Sequence, residues 1–373
     1  MSLYIWQSES WPHLTWDNDQ LIKPLSRCRL LQGKLLGRLA SIDKEMGREA
    51  YTELLVEETV QTAYIEGQIL DRGSVRSSVA RRLGLDAGGL PPPERHADGL
   101  VEVLINATEK HDEPLTFERL NAWQAAMFPT GYSGLHRIIT GDWRGPDAMQ
   151  IVSGPIGREK IHYEALPHVR VEKEMTDFLN WWPKSQKSCE GILRAGIAHF
   201  RFVTIHPFED GNGRITRAIT DMAMAQDERL RQRFYSLSAQ IVAERDAYYK
   251  ILEKTQKGSG DITQWLAWFL SSFRGAIRKS EQTLQKVFAK SAFWKIHIQT
   301  ILNDRQQKVI NKLLDAGKGG FEGGLTTRKY VSMAKTGRAT AQREIRDLVK
   351  KKVLLVNPGG GRSTSYDLIW PEI

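Results

Sequence analysis

One segment near the middle of the chain, residues 191–217, constrains the fold more than any other part of the sequence. Its first part, GILRAGIAHFRFVTI, repeats apolar residues at α-helical spacing and predicts a buried central helix. That helix must stop at His206-Pro207, because proline has no N–H to donate and disfavours a helical residue before it. A glycine-rich loop, residues 210–213, then leads into a second amphipathic helix, RITRAITDMAMA. The sequence therefore predicts two helices at the centre of the fold, joined by a short irregular loop.

Most of the 373 residues show the same helical periodicity, which predicts a mainly α fold. The exception is residues 149–166, where MQIVS and EKIHYE alternate around a Gly-Pro-Ile-Gly centre and predict a β-hairpin. The glycines and three consecutive prolines of residues 84–96 predict a domain boundary. We therefore predict an N-terminal helical region over 1–96, a central domain over 97–300 and a third domain over 301–373.

The third domain has the pattern of a winged helix-turn-helix. Three short helical stretches, near 306–316, 326–334 and 338–351, precede two strands that are joined by the turn NPGGGRS. The net charge of the chain is +9, and residues 303–373 carry fourteen Lys and Arg against seven Asp and Glu. Most of the positive charge therefore belongs to this part of the chain, which makes DNA a candidate partner for residues 303–373 alone.

A DNA-binding winged helix would read the duplex with its third helix. Ile345, Leu348 and Val349 would form the inward face of that helix. We expect the outward face to enter a major groove, and Arg362 at the hairpin tip to reach a phosphate or the minor groove. The outward residues in this prediction are Thr340, Arg343 and Arg346.

The composition excludes several classes of protein. Two cysteines, Cys28 and Cys189, cannot form a disulfide framework and indicate free thiols in a reducing compartment. No run of apolar residues is long enough to span a membrane, and the start of the chain lacks the basic and apolar stretches of a secretory signal. These observations predict a cytoplasmic protein. Trp6, Trp11 and Trp16 recur at five-residue spacing, which fits neither helix nor strand and predicts packing anchors.

The loop HPFEDGNGRITR, residues 206–217, combines the groups needed to attack a nucleotide phosphate. A glycine-flanked loop that enters a helix N-terminus presents unpaired N–H groups to an anion. Arg214 and Arg217 lie three residues apart on the same face, near the same anion. Asp210 is a natural Mg²⁺ ligand beside phosphates, and His206 can accept a proton near neutral pH.

This loop resembles the motif of the Fic family, histidine–x–phenylalanine–x–acid–GNGR–x–x–R. Eight fixed positions in twelve are met. The resemblance extends over roughly residues 100–275 and implies a helical core with a β-hairpin flap that docks the target. In the hairpin, the positions that the resemblance assigns to the flap are Ile151, Val152 and Ile161. The residues that resemble adenosine-side contacts of the family are Tyr248, Tyr249 and Gln256.

The resemblance implies adenylylation (AMPylation), in which AMP passes from ATP to a Ser, Thr or Tyr hydroxyl of a protein, including the enzyme itself. It implies that His206 deprotonates the hydroxyl and that Asp210 holds Mg²⁺ on the α- and β-phosphates. Gly211, Asn212 and Gly213 would cradle the phosphates, with Phe208 seating the loop in the core. Arg214 would contact the β-phosphate region and Arg217 the γ-phosphate. Related kinases of the Doc type carry lysine where this chain has Gly213, so the glycine favours AMP transfer.

A second motif, TAYIEG at residues 62–67, resembles the inhibitory pattern of the same family. Thr62 and Glu66 are four residues apart and therefore share one helix face. The resemblance implies that Glu66 pairs with Arg217 and displaces the γ-phosphate, so that inhibition is built into the N-terminal region.

The sequence leaves four questions open. The chain is either a self-inhibited adenylyltransferase or a DNA-binding transcriptional regulator whose Fic domain senses nucleotide. Some inhibitory glutamates of this family position a water that removes AMP, so a de-AMPylase that uses Glu66 is a further alternative. The target protein is not identified, and the sequence does not decide whether the chain forms a homodimer.

Overall fold

A computed structural model describes residues 4–40, 42, 44–85, 89–153, 160–358 and 364–371, without the side chains of Ser153 and Lys160. The described residues form fourteen α-helices and six short strands, which confirms the predicted mainly α fold. None of the helices in this part of the chain combines the length and apolarity needed to cross a bilayer.

The helices and strands follow one another in a simple order. A 3₁₀ turn at Ile5–Gln7 comes first. The helices are α1 (Asn18–Ala40), α2 (Lys44–Ile65), α3 (Arg72–Arg82), α4 (Arg95–Glu109), α5 (Phe117–Met127), α6 (His168–Ser188), α7 (Gly191–Ile205), α8 (Asn212–Glu228), α9 (Leu237–Ala243), α10 (Arg245–Gln256), α11 (Thr263–Ile296), α12 (Asp304–Ala316), α13 (Thr327–Ala334) and α14 (Arg338–Lys350). The strands are β1 (Tyr132–Ser133), β2 (His136–Arg137), β3 (Gln150–Ser153), β4 (Lys160–Glu164), β5 (Leu354–Val356) and β6 (Tyr366–Leu368).

The chain divides into two compact units. The first unit comprises Met1–Ser41 and Tyr51–Ser280, and the second comprises Ile42–Ala50 and Glu281–Ile373. The division into three domains at residues 96 and 300 stays a prediction.

Helix α7 forms the centre of the first unit. Every residue from Ile192 to Ile205 is buried, so the helix is enclosed on all sides rather than on one apolar face alone. The polar residues on it therefore need partners. Arg194, for example, donates to Ser185 Oγ at 2.8 Å and to the carbonyl of Trp182 at 2.9 Å. Such bonds allow a charged helix to lie in the core.

Trp6 and Trp11 pack within the first unit as the sequence predicts, whereas Trp16 is only half-buried and donates to Asn18 Oδ1 at 2.9 Å. Trp6 is buried and donates from Nε1 to the carbonyl of Glu164 at 2.8 Å. Trp11 is buried and donates to Glu174 Oε2 at 2.7 Å. These bonds fasten the start of the chain to β4 and α6.

The predicted hairpin forms from β3 and β4, which pair antiparallel with Val152 opposite Ile161. A bulge between Ile151 and Val152 shifts the register. The Gly-Pro-Ile-Gly centre lies outside the described residues. The strands therefore match the predicted segments, and the structure does not describe the tip.

The second unit contains the three predicted helices, α12 to α14, followed by the antiparallel pair β5 and β6. Its core includes Val309, Tyr330 and Leu348 from the three helices and Leu368 from β6. Ile345 and Leu348 are buried and Val349 packs against the same core, as expected for the inward face of α14. Arg362 at the predicted hairpin tip lies outside the described residues.

Candidate functional site

His206 lies where the chain turns out of α7. Its backbone is left-handed, with φ 53°, while its N–H donates to the carbonyl of Phe202 at 3.0 Å. The ring Nδ1 lies 3.2 Å from the carbonyl oxygen of Val203. Because a carbonyl oxygen only accepts, this contact assigns the ring proton to Nδ1 and leaves the Nε2 lone pair to take a proton.

The surroundings of His206 keep the imidazole neutral. Burial lowers the pKa of His206 below its ordinary value of about 6.5, and the Arg144 guanidinium acts in the same direction. The Val203 carbonyl and the carboxylates of Glu66 and Asp210 act in the opposite direction without outweighing burial. A neutral imidazole at pH 7 is the form that a general base requires.

Arg144, for which the sequence carries no local signal, holds the backbone of the loop. Its Nε donates to the carbonyl of His206 at 2.9 Å, and its own N–H donates to the carbonyl of Pro207 at 2.9 Å. A further bond from Nη2 reaches the carbonyl of Leu166, next to β4. The side chain is almost completely buried. Arg144 precedes His206 by 62 residues, so no local pattern marks it.

The loop after His206 is closed by its own side chains. Asn212 accepts from the N–H of Phe208 at 2.9 Å and donates to the carbonyl of the same residue at 2.7 Å. The Phe208 ring is fully buried, and its centroid lies 5.0 Å from that of Trp143. The Asn212 amide is therefore committed to the loop, and its backbone N–H is the group that remains for a phosphate.

Helix α8 begins with an N-terminus suited to an anion. Its N-cap, Gly211, has φ 90° and offers no side chain to the first N–H groups of the helix. The positive φ favours glycine at this position, and a Cβ there would also lie 3.1 Å from both Met127 Cε and Phe128 Cε2, which is a tight contact. These N–H groups are thus available to a phosphate.

Asp210 and Arg214 lie at the entrance of this N-terminus. Asp210 accepts from the Ser133 hydroxyl and from the Gly211 N–H, each at 2.5 Å. Arg214 Nη2 lies 3.3 Å from Asp210 Oδ1, and Nη1 lies 3.3 Å from Gln68 Oε1. Ser133 and Gln68 are further site residues without a signal in the sequence.

Arg217 is buried and held by the end of α2. Its Nε donates to Thr62 Oγ1 at 2.5 Å, and its Nη2 donates to the Thr62 carbonyl at 3.0 Å and to Glu66 Oε1 at 2.7 Å. Burial acts to lower the pKa of Arg217, but the Glu66 carboxylate together with Tyr248 and Tyr249 acts in the opposite direction, and the pKa is raised. Glu66 thus contacts Arg217 as the inhibitory motif implies, and the two bonds that the same guanidinium donates to Thr62 are an addition that the structure provides.

The three predicted adenosine contacts lie in different surroundings. Tyr248 is buried, and its hydroxyl lies 3.1 Å from His199 Nε2. Gln256 is buried and donates to Thr204 Oγ1 at 3.3 Å. Tyr249 is 39% exposed, and its hydroxyl donates to the Ile65 carbonyl at 3.3 Å, beside Glu66. Only Tyr249 of the three presents its ring to solvent.

The hairpin exposes an apolar surface. Val152 and Ile161, which face each other across β3 and β4, are 47% and 44% exposed, while Ile151 is half-buried. His162 Nδ1 on β4 lies 2.7 Å from Glu253 Oε2 on α10. The hairpin is thus fastened to α10 and keeps two apolar side chains in solvent.

Residues 114–224 match the Fic/DOC family, and residues 4–85 match a domain of unknown function, DUF4172. Over 96 residues the chain is 42% identical to the protein adenylyltransferase fic-1 of Caenorhabditis elegans, which covers 24% of this chain and 18% of that protein. Over 178 residues it is 24% identical to the probable protein adenylyltransferase aq_aa38 of Aquifex aeolicus (strain VF5), covering 45% of this chain and 49% of the relative. The chain thus spans less than half of the length of the curated relatives it matches.

The fold is also found in a solved structure. The crystal structure of a Fic family protein from Desulfovibrio desulfuricans G20 is similar over 94% of this chain and 95% of that chain, with a TM-score of 0.52 and 19% identity. The helical architecture and the match over residues 114–224 agree with the loop that carries His206 and Arg217. This chain therefore contains a domain of the Fic/DOC family.

Proposed function

We propose that this chain is a self-inhibited protein adenylyltransferase that transfers AMP from ATP to a Ser, Thr or Tyr hydroxyl of a protein, including itself. The observation that carries the proposal is the ion pair between Arg217 Nη2 and Glu66 Oε1, at 2.7 Å. It lies at the N-terminus of α8, in the same loop-helix segment as His206. Arginine binds carboxylates and phosphates in the same way. A buried arginine paired with the carboxylate of a different segment is therefore the arrangement expected where that carboxylate occupies the place of a phosphate.

In the proposed reaction, Nε2 of His206 takes the proton from the attacking hydroxyl. The hydroxyl oxygen forms a bond to the α-phosphorus of ATP, the bond between the α-phosphorus and the bridging oxygen breaks, and pyrophosphate leaves. The N–H groups of Asn212 and Gly213 and the guanidinium of Arg214 would stabilise the negative charge on the phosphates. The neutral state of His206 supports this assignment.

Mg²⁺ fits this site as a companion of ATP. Among the described residues, no group of three or more His, Cys, Asp or Glu gathers closely enough to hold a metal ion without a substrate. Mg²⁺ is usually bound by one or two carboxylates together with phosphate oxygens, and the partly exposed Asp210 carboxylate supplies one. Bound there, Mg²⁺ would neutralise phosphate charge.

Inhibition in this proposal is steric and electrostatic. Glu66 takes the position on Arg217 that a γ-phosphate would need, and it crowds Gly213 at the helix N-terminus. The negative charge of the carboxylate would also repel the negatively charged γ-phosphate of ATP. Displacing Glu66 is therefore the step that admits ATP in a productive position.

The hairpin is the proposed docking site for the target. Within the described residues, β3 and β4 pair only with each other, so an extended target segment could add to an edge as a further strand. Val152 and Ile161 offer exposed apolar contacts to such a segment. This mode of binding would position a hydroxyl with little demand on the target sequence.

The proposal is tested by incubating the full chain and its Glu66→Gly variant with α-labelled ATP and Mg²⁺, then identifying labelled proteins by mass spectrometry. We expect sharply stronger labelling by the variant. The matched control is Glu57→Ala on the same helix, because Glu57 pairs with Arg72 at 2.7 Å and not with the site. Equal labelling by the wild type and the Glu66→Gly variant would refute self-inhibition. Loss of AMP from a labelled protein with the wild type alone would favour the de-AMPylase alternative.

A second function, DNA binding by residues 303–373, is favoured by a separate observation. Arg328, Arg338 and Arg346 line one groove of the second unit, and none has a hydrogen bond or ion pair to the described residues. Arg343 is also exposed on α14, while Thr340 is half-buried. Unpaired arginines on one face favour binding to phosphates. This function is compatible with adenylyl transfer by the first unit.

A further inference from the structure

The first unit contains a large cavity that the proposed reaction does not use. Its volume is about 890 Å³, within the usual range of small-molecule sites. The N-terminal segment forms one wall with Trp11 and Trp16, and α6 adds Trp181. Helix α7 closes the cavity with Leu193 and Arg201. The lining therefore combines aromatic and aliphatic side chains with polar and charged ones, among them one arginine from the central helix.

Arg201 has no polar partner. Its side chain is 4% exposed, Nε is buried without an acceptor, and the described residues supply neither a hydrogen bond nor an ion pair to its guanidinium. Its close contacts are rings, with Cζ 4.9 Å from the centroid of Trp181 and 5.6 Å from that of Phe178. Burial lowers the pKa of Arg201 to about 10, so the group is still a cation at pH 7. An unpaired buried cation is costly, and an anion would offset that cost.

The other buried arginine on the same helix provides the contrast. Arg194 stacks on Trp182 at 4.0 Å as Arg201 stacks on Trp181, but it also donates to Ser185, to a carbonyl and to Gln226. Glu174 is the carboxylate with the largest electrostatic effect on Arg201. It is already bound by Trp11 at 2.7 Å and by Arg170 at 2.5 Å. The fold therefore satisfies one arginine and leaves Arg201 facing the cavity.

The charges around the cavity limit the occupant. Asp177 is paired with Lys173 at 2.9 Å, and Glu190 accepts from Arg29 Nε at 2.6 Å. Glu9 adds another carboxylate to the wall. The lining thus holds three carboxylates and two cations, Lys173 and Arg201. This excess of negative charge disfavours a polyphosphate. One unpaired guanidinium among tryptophans instead suits a single negative charge on a flat apolar body.

We propose that this cavity binds a small aromatic carboxylate, whose carboxylate pairs with the Arg201 guanidinium and whose ring lies against Trp11, Trp16 or Trp181. The site is distinct from the loop that carries His206. The proposal rests on the cavity and its charges and does not depend on adenylyl transfer.

The test is calorimetric titration of the full chain with indole-3-acetate and with indole-3-acetamide, which has the same ring without the charge. We expect the acid to bind about tenfold or more tightly than the amide, since hydrogen bonds to a charged group are the stronger kind. Arg201→Gln should remove this difference, whereas Lys184→Gln, an exposed position on α6 outside the cavity lining, should keep it. Equal affinity of the acid and the amide, or no binding of the acid at millimolar concentration, would overturn the proposal.

A native reporter covers the case in which Arg201→Gln does not fold. Cys189 lines the cavity and is half-buried, while Cys28 is buried with its thiol donating to the Leu270 carbonyl at 3.1 Å. Indole-3-acetate should slow alkylation of Cys189 severalfold at saturation and leave Cys28 unchanged, as read by peptide mass spectrometry. An unchanged rate at Cys189 under saturating ligand would locate the binding elsewhere and contradict the proposal.

Discussion

At the N-terminus of α8, the Glu66 carboxylate occupies the space where a side chain on Gly213 would lie. A Cβ at position 213 would overlap Glu66 Oε1 and lie 3.2 Å from Arg217 Nη1. The carboxylate occupies its observed position on Arg217 because residue 213 has no side chain. The glycine of the phosphate loop and the glutamate of the inhibitory motif therefore depend on each other.

This dependence predicts a non-additive effect on stability. Gly213→Ala in the wild type must push Glu66 off Arg217 and should lower the free energy of unfolding by about 1–3 kcal/mol. In the Glu66→Gly background the overlap is absent, and alanine should be neutral or stabilising because it favours helix by up to about 1 kcal/mol. Urea unfolding of the four proteins measures the difference. The same cost in both backgrounds would show that the two residues do not compete.

His206→Ala should abolish AMP transfer in the Glu66→Gly background and leave ATP binding largely intact. A general base contributes about 10²–10⁴-fold, while the phosphates are held by other groups. Because His206 has a left-handed backbone, His206→Asn is the companion variant that tolerates this conformation. Target labelling and nucleotide titration separate the two effects. Retained labelling by both variants would exclude His206 as the base.

The activity of the Glu66→Gly variant should fall only on the acid side of neutral pH. Burial lowers the pKa of His206, so the imidazole becomes protonated only below about pH 6.5. The value of kcat/KM, which reports on the free enzyme, should stay level through pH 7 and fall on the acid side. Glu66→Gly also removes a carboxylate that raises the pKa of His206, which moves the midpoint further toward acid. A midpoint above pH 7 would contradict this environment.

Docking of the target on the hairpin predicts that the backbone of β4 matters more than its side chains. Ile161→Pro removes one N–H and should reduce target labelling, whereas Ile161→Thr keeps the backbone and should reduce it less. Both variants are compared in the Glu66→Gly background, with auto-labelling and circular dichroism as measures of the intact site. Equal labelling of the target by both variants would exclude strand addition at Ile161.

Binding of duplex DNA by the full chain should fall steeply with salt, with a log–log slope of about −0.9 for each neutralised phosphate. Replacing Arg343 and Arg346 by alanine should weaken binding and make the slope shallower by up to about two such contacts. Lys308 and Lys312, exposed on α12, provide the matched control pair of the same charge. Fluorescence anisotropy at several salt concentrations measures both effects. Absence of binding at low salt would leave protein docking as the better role of this unit.

The sequence by itself determined the features whose interactions lie within a few residues. The apolar spacing of residues 191–205 and the proline at 207 specified where α7 ends. The glycine at 211 specified a helix start without a capping side chain, because glycine readily adopts the positive φ of the N-cap position. The four-residue spacing of Thr62 and Glu66 puts both on one face at the end of α2, while the resemblance to the inhibitory motif implies the pairing of Glu66 with Arg217.

Only the tertiary structure decided which distant groups complete the site. Arg144 reaches His206 across 62 residues, and Ser133 reaches Asp210 across 77, through loops that carry no periodic signal. Even adjacent residues have different surroundings. Tyr248 is buried in the core against His199, while Tyr249 is partly exposed to solvent beside Glu66. Local spacing fixes which way a side chain leaves its own helix. Whether it meets a ligand, a partner or the core depends on what packs against that helix, and this is set by contacts between segments far apart in the chain.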